Sequence, residues 1–509
     1  MTRIQRMLAV ALGAGLAGCV TLAVAAPPNI IVMVVDDMGV MDTSVPFLTD
    51  EHGEPVRHPL NEFYRTPSME RLAARGTRFS QFCAMSVCSP SRISLMTGQN
   101  AARHGTTNWI NPETDNAGPS GPRDWNWRGL GKQSVTLPRL LQHAGYRTIH
   151  VGKGHFGPRG SEGSDPRNLG FDVNVGGASI GQPGSYYGKK NYGAGPKATH
   201  AVPGLEKYHG SATFLTDALT QEAKAHVSAA VDDGKPFFLH FAQYAVHAPF
   251  EADPRFAPHY ASSGKAVQAQ AFATLIEGMD ASLGEMIDHC VSLGVAEDTL
   301  IVFLGDNGSD APLGGAHEVA CAAPLRGKKG SHYEGGMRAP LIVAWAAPAP
   351  NRPHQQRLPA PAGAVQSRIA AVHDLFPTIL AVAGLNAPPG HTVDGEPLDE
   401  LLGGRPAAPR RGSFLMHYPH APHRSDYFTA FRTDDWKVVY HYFPSAGSEG
   451  ARYQVFHLKS DPFESINLAP SQPAELRRLM EQLTSALEAH RARYPVAGDG
   501  VTPLKPVMP

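Results

Sequence analysis

Asn29-Ile30-Ile31-Val32-Met33-Val34-Val35-Asp36-Asp37 holds six consecutive apolar residues, five of them β-branched, followed by two acids. The apolar run does not alternate with polar residues, so it reads as a strand buried on both faces, as in a parallel sheet covered by helices. In open α/β sheets ligands bind beyond the carboxyl ends of the strands. Asp36 and Asp37 stand at that end. A solvated acidic turn is the ordinary reading of one aspartate there, but two adjacent carboxylates against a hydrophobic strand are placed for chemistry.

The same grammar repeats outward along the chain. Tyr146–Val151 is a strand running into Gly152-Lys153-Gly154-His155, and Pro236–Phe241 is another leading to Val246-His247-Ala248-Pro249. Thr299–Leu304 is a third, ending at Gly305-Asp306-Asn307-Gly308, and Leu341–Trp345 a fourth. Helical patterns fall between them at Leu137–Ala144 (closed by Gly145), Ser211–Val231, Ala269–Gly294 and around His373–Ala383. Strands alternating with helices predict an α/β fold with a large, mainly parallel, doubly wound sheet flanked by helices. After about Arg405 the texture changes. Phe428–Arg432, Trp436–Phe443 and Val455–Leu458 read as antiparallel strands, and Pro473–Arg493 as a helix with Leu476, Leu479, Leu483 and Leu487 on one face. The expected division is a catalytic unit over 27–404 and a smaller C-terminal α+β unit over 405–509.

The length of 509 residues suits a large core with a second unit, and 42% hydrophobic with 18% charged residues is ordinary for a globular enzyme. A net charge of −1 argues against nucleic acid or other general polyanions as partners, so attraction for an anionic ligand must be local. Arg3 and Arg6, an apolar Met7–Val24 and the small residues Ala23-Val24-Ala25 predict a signal peptide over 1–25, hence export to the periplasm or medium. The segment is a poor membrane span. Leu16-Ala17-Gly18-Cys19 offers the alternative of a lipoprotein signal over 1–18, with a lipid anchor on Cys19. Among the five cysteines no zinc spacing occurs, and Cys83, Cys290 and Cys321 leave no disulfide framework, with one bridge between two of them as the alternative in an oxidising compartment.

Cys88-Ser89-Pro90-Ser91-Arg92-Ile93-Ser94-Leu95-Met96-Thr97-Gly98 is the second informative stretch. Ser89 is a suitable N-cap, Pro90 fits the first helical position, and Gly98 can end the helix in a left-handed conformation. Cys88 would then lie just ahead of a helix N-terminus, where an anion is favoured and a thiol is acidified. A buried cysteine beside a capped helix is the plain alternative for Cys88 alone. The whole run resembles the modification motif of the formylglycine-dependent (type I) sulfatases, of the alkaline-phosphatase-like superfamily, with every position of C-[SA]-P-S-R-x-x-L-[LM]-T-G met. Further segments resembling that family occur in the family order. They are Pro28–Asp37, Gly145–His155, His247-x-Pro249, Asp306-Asn307-Gly308, Leu325-Arg326-Gly327-x-Lys329, Glu334-Gly335-Gly336 and Asp461-Pro462-x-Glu464 with Asn467-Leu468.

The residues themselves carry part of the chemistry. Asp36, Asp37, Asp306 and Asn307 are hard oxygen donors, which suit calcium or magnesium rather than zinc. The resemblance implies that they hold one calcium ion, magnesium being the alternative, with modified Cys88 completing its shell. It also implies that a maturation enzyme oxidises Cys88 to formylglycine, that Arg92 and Lys153 hold the aldehyde hydrate, that His155 is its acid/base partner, and that His247 and Lys329 bind the sulfate and assist the leaving oxygen. One hydroxyl of the hydrate would attack sulfur and the second would later expel sulfate. With one divalent ion the three aspartates, Arg92 and two lysines sum to roughly +2, matched to a sulfate ester. Gly154, Gly305 and Val246 stand where this family usually has Trp, Ser or Thr, and often Pro, which bears on pocket shape.

The expected function is hydrolysis of a sulfate ester on a small molecule or glycan, with a carbohydrate sulfate favoured. The alternatives are an arylsulfatase, a phosphonate or phosphodiester hydrolase of the same superfamily, and a secreted sulfoglycan-binding protein without activity. Trp109, Trp125 and Trp127 on the loop from about Thr106 to Lys132 read either as sugar platforms or as packing. Tyr186, Tyr187, Lys189, Lys190 and Tyr192, between Gly176 and Gly204, read either as a substrate lid or as a surface loop. His417, His420 and His423 read either as reaching the cleft or as packing.

Overall fold

The computed structural model describes residues 27–403, 412–421, 424–425, 427–444 and 451–509. The signal-peptide and Cys19 lipid-anchor expectations therefore lie outside the described residues. No described helix is long and apolar enough to cross a membrane.

Strand β1 (Asn29–Val35) is buried along its length, and its side chains divide between two cores. Ile31, Met33 and Val35 enter one hydrophobic cluster, Ile30, Val32 and Val34 the other. That division is why the run shows no alternation. The remaining strands are β2 (Thr77–Phe79), β3 (Phe82–Cys83), β4 (Arg147–Gly152), β5 (Val173–Val175), β6 (Phe237–Gln243), β7 (Thr299–Gly305), β8 (Leu341–Trp345), β9 (Ala364–Gln366), β10 (Ala370–Ala371), β11 (Ser413–Tyr418), β12 (Phe428–Thr433), β13 (Trp436–His441) and β14 (Tyr453–His457). The main sheet has eight strands in the order β5-β4-β6-β1-β7-β8-β2-β9. Strands β5, β4, β6, β1 and β7 are parallel, whereas β8 runs antiparallel to both β7 and β2. Register fixes what meets at the carboxyl end. Val35 lies opposite Gln243 and Gly305, and Gly152 opposite Ala242, so the residues following β1, β7 and β4 emerge at one level.

Helices Pro67–Arg75, Leu215–Asp232 and Val267–Ser292 cover one face, through Leu72, Leu219, Leu275 and Met279 among others. Helices Cys88–Thr97, Leu137–His143 and Leu375–Val382 cover the other, through Ile93, Leu95, Leu141 and Phe376. Strands β11–β14 form an antiparallel sheet. Phe414, Met416, Phe428 and Val439 join the second core, while Leu476, Leu479, Leu483 and Leu487 of helix Pro473–Ala489 pack on the other side. Buried charge crosses this seam. Glu334 accepts from Arg432 Nε and Lys437 Nζ, each at 3.1 Å, Glu464 Oε2 accepts from the Glu334 backbone N–H at 2.6 Å, and Lys437 pairs with Glu464 as well.

Several local readings are settled by packing. The helix begins at Cys88 itself with Val87 as the cap, so Ser89 is not the N-cap. Its hydroxyl instead donates to the His155 carbonyl at 3.2 Å and accepts from Ile110 N–H at 3.1 Å, tying two site loops together. Gly98 does end the helix, at φ 70°, and a Cβ there would lie 2.6 Å from the Phe376 ring. Tyr186 and Tyr192 are buried, the Tyr186 hydroxyl lying 2.7 Å from the carbonyls of Tyr244 and His247, so this part of the loop is anchored in the core and is not a lid. Lys190 pairs with Glu251 at 2.6 Å. His417 and His420 are packing residues, bonded to Thr429 and the Arg493 carbonyl and to Thr107 and the Ala117 carbonyl. His423 lies outside the described residues. The four described cysteines are free thiols.

Candidate active site

Because β1 and β7 share register, Asp36, Asp37, Asp306 and Asn307 leave the sheet side by side. The carboxylates of Asp36, Asp37 and Asp306 offer oxygens within 4.8 Å of one another, all buried. Asp37 adopts φ 63°, which turns its backbone N–H onto Asp306 Oδ1 at 3.0 Å and its carboxylate toward Asn307 Nδ2, also at 3.0 Å. A Cβ on Gly305 would stand 2.1 Å from the Met38 carbonyl, so the glycine at this departure from the family pattern permits the close approach of the two strand ends.

Each aspartate has a cation. Lys153 Nζ donates to both oxygens of Asp36 at 2.7 and 2.8 Å, Arg92 Nε to Asp306 Oδ2 at 2.8 Å, and Lys329 Nζ to Asp37 at 2.7 Å. Arg92 Nη1 also holds the Lys153 carbonyl at 2.9 Å, and Nη2 lies 3.5 Å from Asp36. Burial raises the Asp36 and Asp306 carboxyls to about 6 against the pull of Lys153 and Arg92. Burial pushes Asp37 the same way, but His247 and Lys329 outweigh it and hold this carboxyl well below the usual range. Burial disfavours charge on Lys329 too, yet the Asp37 carboxylate keeps it protonated.

Cys88 Sγ lies 3.3 Å from His155 Nδ1, and His155 Nε2 is 2.7 Å from the Ile110 carbonyl. The carbonyl can only accept, so Nε2 carries the proton and the Nδ1 lone pair faces residue 88. Burial first, and Lys153 next, push His155 well below its ordinary value, which leaves a neutral ring able to take a proton. His247 is held by its Nδ1 against the Ala248 carbonyl at 2.9 Å, with Nε2 3.4 Å from Asp37. Burial lowers it to about 4 in spite of Asp37.

The donor set fits a hard divalent cation on two counts. It is made of oxygens alone, and Asn307 Oδ1 is buried without a hydrogen-bond partner among the described residues. Three carboxylates against three cations are neutral without a metal, so one divalent ion leaves a surplus of about +2 facing any anion that enters. A cavity of about 550 Å³ opens over Cys88, His155, His247 and Lys329. The sequence expectations are thus brought together, with Arg92 and Lys153 on the aspartates and the other four on the cavity.

Of the tryptophans, Trp109 lines the cavity, whereas Trp125 and Trp127 are anchored by N–H bonds to Asp115 and the Asn111 carbonyl. Sequence reasoning missed Asp310, Arg424, Gln182 and His200, which also line it. Asp310 is four residues past Asp306, and Gln182 and His200 fall within the Gly176–Gly204 segment, so these three lay close to a sequence signal.

The sulfatase family model matches residues 28–385, and a second, described as N-sulphoglucosamine sulphohydrolase, C-terminal, matches residues 328–493. The chain is 30% identical to arylsulfatase A of Homo sapiens over 95% of its own length and 92% of that protein's. It is 29% identical to N-acetylgalactosamine-6-sulfatase of Homo sapiens, covering 91% and 86%. Among solved structures, Ps i-CgsB in complex with k-i-k-neocarrahexaose superposes with a TM-score of 0.69 at 25% identity, covering 91% and 93%.

Proposed function

Given that the chain belongs to the sulfatase family and is a sulfuric ester hydrolase, we propose that it acts on a carbohydrate sulfate, using formylglycine made from Cys88 and one calcium ion on Asp36, Asp37, Asp306 and Asn307. The observation that carries this reading is that Cys88 lines one cavity with Lys329 and His247, the two partners of Asp37 in the buried oxygen cluster, whose other carboxylates are paired with Arg92 and Lys153. Formylglycine supplies a hydrated aldehyde as nucleophile and the metal supplies Lewis-acid charge beside it.

The protein's own groups do the rest. His155 Nδ1 takes and returns the proton of the hydroxyl at position 88, its tautomer fixed by the Ile110 carbonyl. Lys329 and His247, on the cavity wall, meet the sulfate oxygens and the leaving oxygen, where a preorganised cation is most effective. Arg92 and Lys153 hold the carboxylates in place and offset their repulsion. The carbohydrate assignment draws on Trp109 at the cavity, an apolar face for a sugar ring, and on the neocarrahexaose with which the similar Ps i-CgsB forms a complex.

The test is release of sulfate from a panel of sulfated saccharides, beside 4-nitrophenyl sulfate and the matching phosphate esters, by protein matured in a host that modifies Cys88. Faster turnover of saccharide sulfates than of the aryl sulfate is expected. Preference for the phosphate or phosphonate member of each pair would replace this reading with the alternative hydrolase.

A further inference from the structure

The floor of the cavity accounts for one sulfate group, yet the wall above it carries charge that the sulfate does not need. Asp310 follows the Asp306-Asn307 turn and belongs to the catalytic unit, whereas Arg424 comes from the connection between β11 and β12. They meet across the cavity wall, Arg424 Nη2 lying 2.5 Å from Asp310 Oδ2. Asp310 Oδ1 is also taken, by Lys328 Nζ at 3.1 Å, and its backbone N–H donates to the Asp37 carbonyl at 3.3 Å. Two cations therefore share one carboxylate, and the wall keeps about one positive charge beyond that of Lys329. Glu113, the other carboxylate lining the cavity, is turned to Arg159 at 2.8 Å.

The two cations are not equivalent. Lys328 is almost wholly buried and points its remaining donors at the Ala311 and Gly314 carbonyls. Arg424 is 28% exposed, its carbonyl is held by His317 Nε2 at 3.1 Å, and its Nε and Nη1 make no hydrogen bond with the described residues. A guanidinium fixed at one corner by a carboxylate, with its other edge open, is a fork for a planar or tetrahedral anion.

Resting on the sulfate-ester reading, we infer that Arg424, oriented by Asp310, binds a second anionic group of the substrate, so that the preferred substrate is a saccharide carrying a uronate carboxylate or a second sulfate beside the scissile one. Asp310 is the positioning residue in this arrangement. Because the fork is supplied by the C-terminal unit, that unit completes the substrate site.

The experiment compares kcat/KM of the matured full-length protein for four probes. They are 4-nitrophenyl sulfate, a neutral monosaccharide bearing one sulfate, the same sugar bearing two, and a uronate-linked disaccharide bearing one. The better of the two doubly charged probes should exceed the singly sulfated sugar by at least about tenfold, equivalent to about 1.4 kcal/mol. Which of them leads identifies the second anion. In Arg424→Ala that ratio should fall to near one, through KM, with Arg424→Lys intermediate because it keeps the charge and loses the fork. Arg424→Gln serves if the alanine variant does not fold. An unchanged ratio in the folded variants, or an equal loss on all four probes, would overturn the inference while leaving sulfate hydrolysis intact. A wild-type protein that released sulfate from none of the probes would instead remove the underlying reading.

Discussion

Glu334 and Asp37 are both fully buried carboxylates gripped by cations, and they sit in very different company. Glu334 lies on the seam between the main sheet and the C-terminal sheet, with Arg432, Lys437 and Arg338 around it and Glu464 bonded to its backbone. Burial disfavours its charge, but Arg432 and Lys437 bring it down to about 2. Asp37 is held by the Lys329 ammonium at 2.7 Å and has His247 at 3.4 Å, and both of these partners line a cavity. Ion pairs alone do not mark a functional centre, since both clusters have them. Partners that open onto a cavity beside Cys88 do. The seam is expected to contribute stability and the site to contribute rate, and the two can be separated by substitution.

The largest effect is expected at Cys88. Cys88→Ser keeps one hydroxyl and lacks the second that would expel sulfate, so it should transfer sulfate once and stop. Burst kinetics and a sulfated residue 88 are the readout, and steady multiple turnover would break the contrast between site and seam. Glu334→Ala should do the reverse. It strands the Arg432 guanidinium in the interior and leaves Lys437 with Glu464 alone, and should cost about 3–5 kcal/mol in denaturant unfolding, with kcat retained in the protein that remains folded. Lys329→Ala should lower kcat by about 10²–10³.

Smaller effects sharpen the same comparison. Calcium at about a hundred times its dissociation constant should add about 2.7 kcal/mol of stability by mass action. Glu334→Ala should share that increment and Asp306→Ala should lose it, as read by melting with and without chelator. The smallest concerns His150 and His240, buried side by side between β4 and β6 with their Nδ1 atoms 2.9 Å apart. The Gly152 carbonyl at 3.0 Å fixes the proton on His150 Nε2, so His240 donates between the rings. Burial lowers His150 to about 3 and His240 well below its ordinary value. The unfolded rings, near 6.5, bind protons first, so this stabilisation is complete above 6.5 and is lost as pH falls toward the folded values. His240→Phe should flatten the loss between pH 6.5 and 5 by about 1.4 kcal/mol per pH unit.

How much of this was legible depends on whether the determinants are contiguous. The runs of β1 and β7 announce themselves because both faces are buried, and Asp36, Asp37, Asp306 and Asn307 follow them directly. Lys153, His155 and His247 are close behind their strands for the same reason. The direction of β8 was not legible, since Leu341–Trp345 is as apolar as a parallel strand. Strand β11 escaped because its apolar run, Phe414-Leu415-Met416, is only three residues long between Ser413 and His417, and its burial between the main core and helix Pro473–Ala489 is set by packing. Ser89 looked like a cap and is a tether, as its partners, His155 and Ile110, are distant in sequence. Arg424 could not be read at all, because its meeting with Asp310 exists only once the two units are packed together.

The most direct test of the account is mass spectrometry of the tryptic peptide Phe79–Arg92, from protein made with its maturation partner, after reduction and alkylation. The peptide carries its own control in Cys83, a buried thiol on β3 that helix Cys88–Thr97 does not include. The predicted result is one alkylated thiol, at Cys83, with a hydrazide-reactive aldehyde at position 88. Two alkylated thiols in protein that releases sulfate at full rate would contradict it.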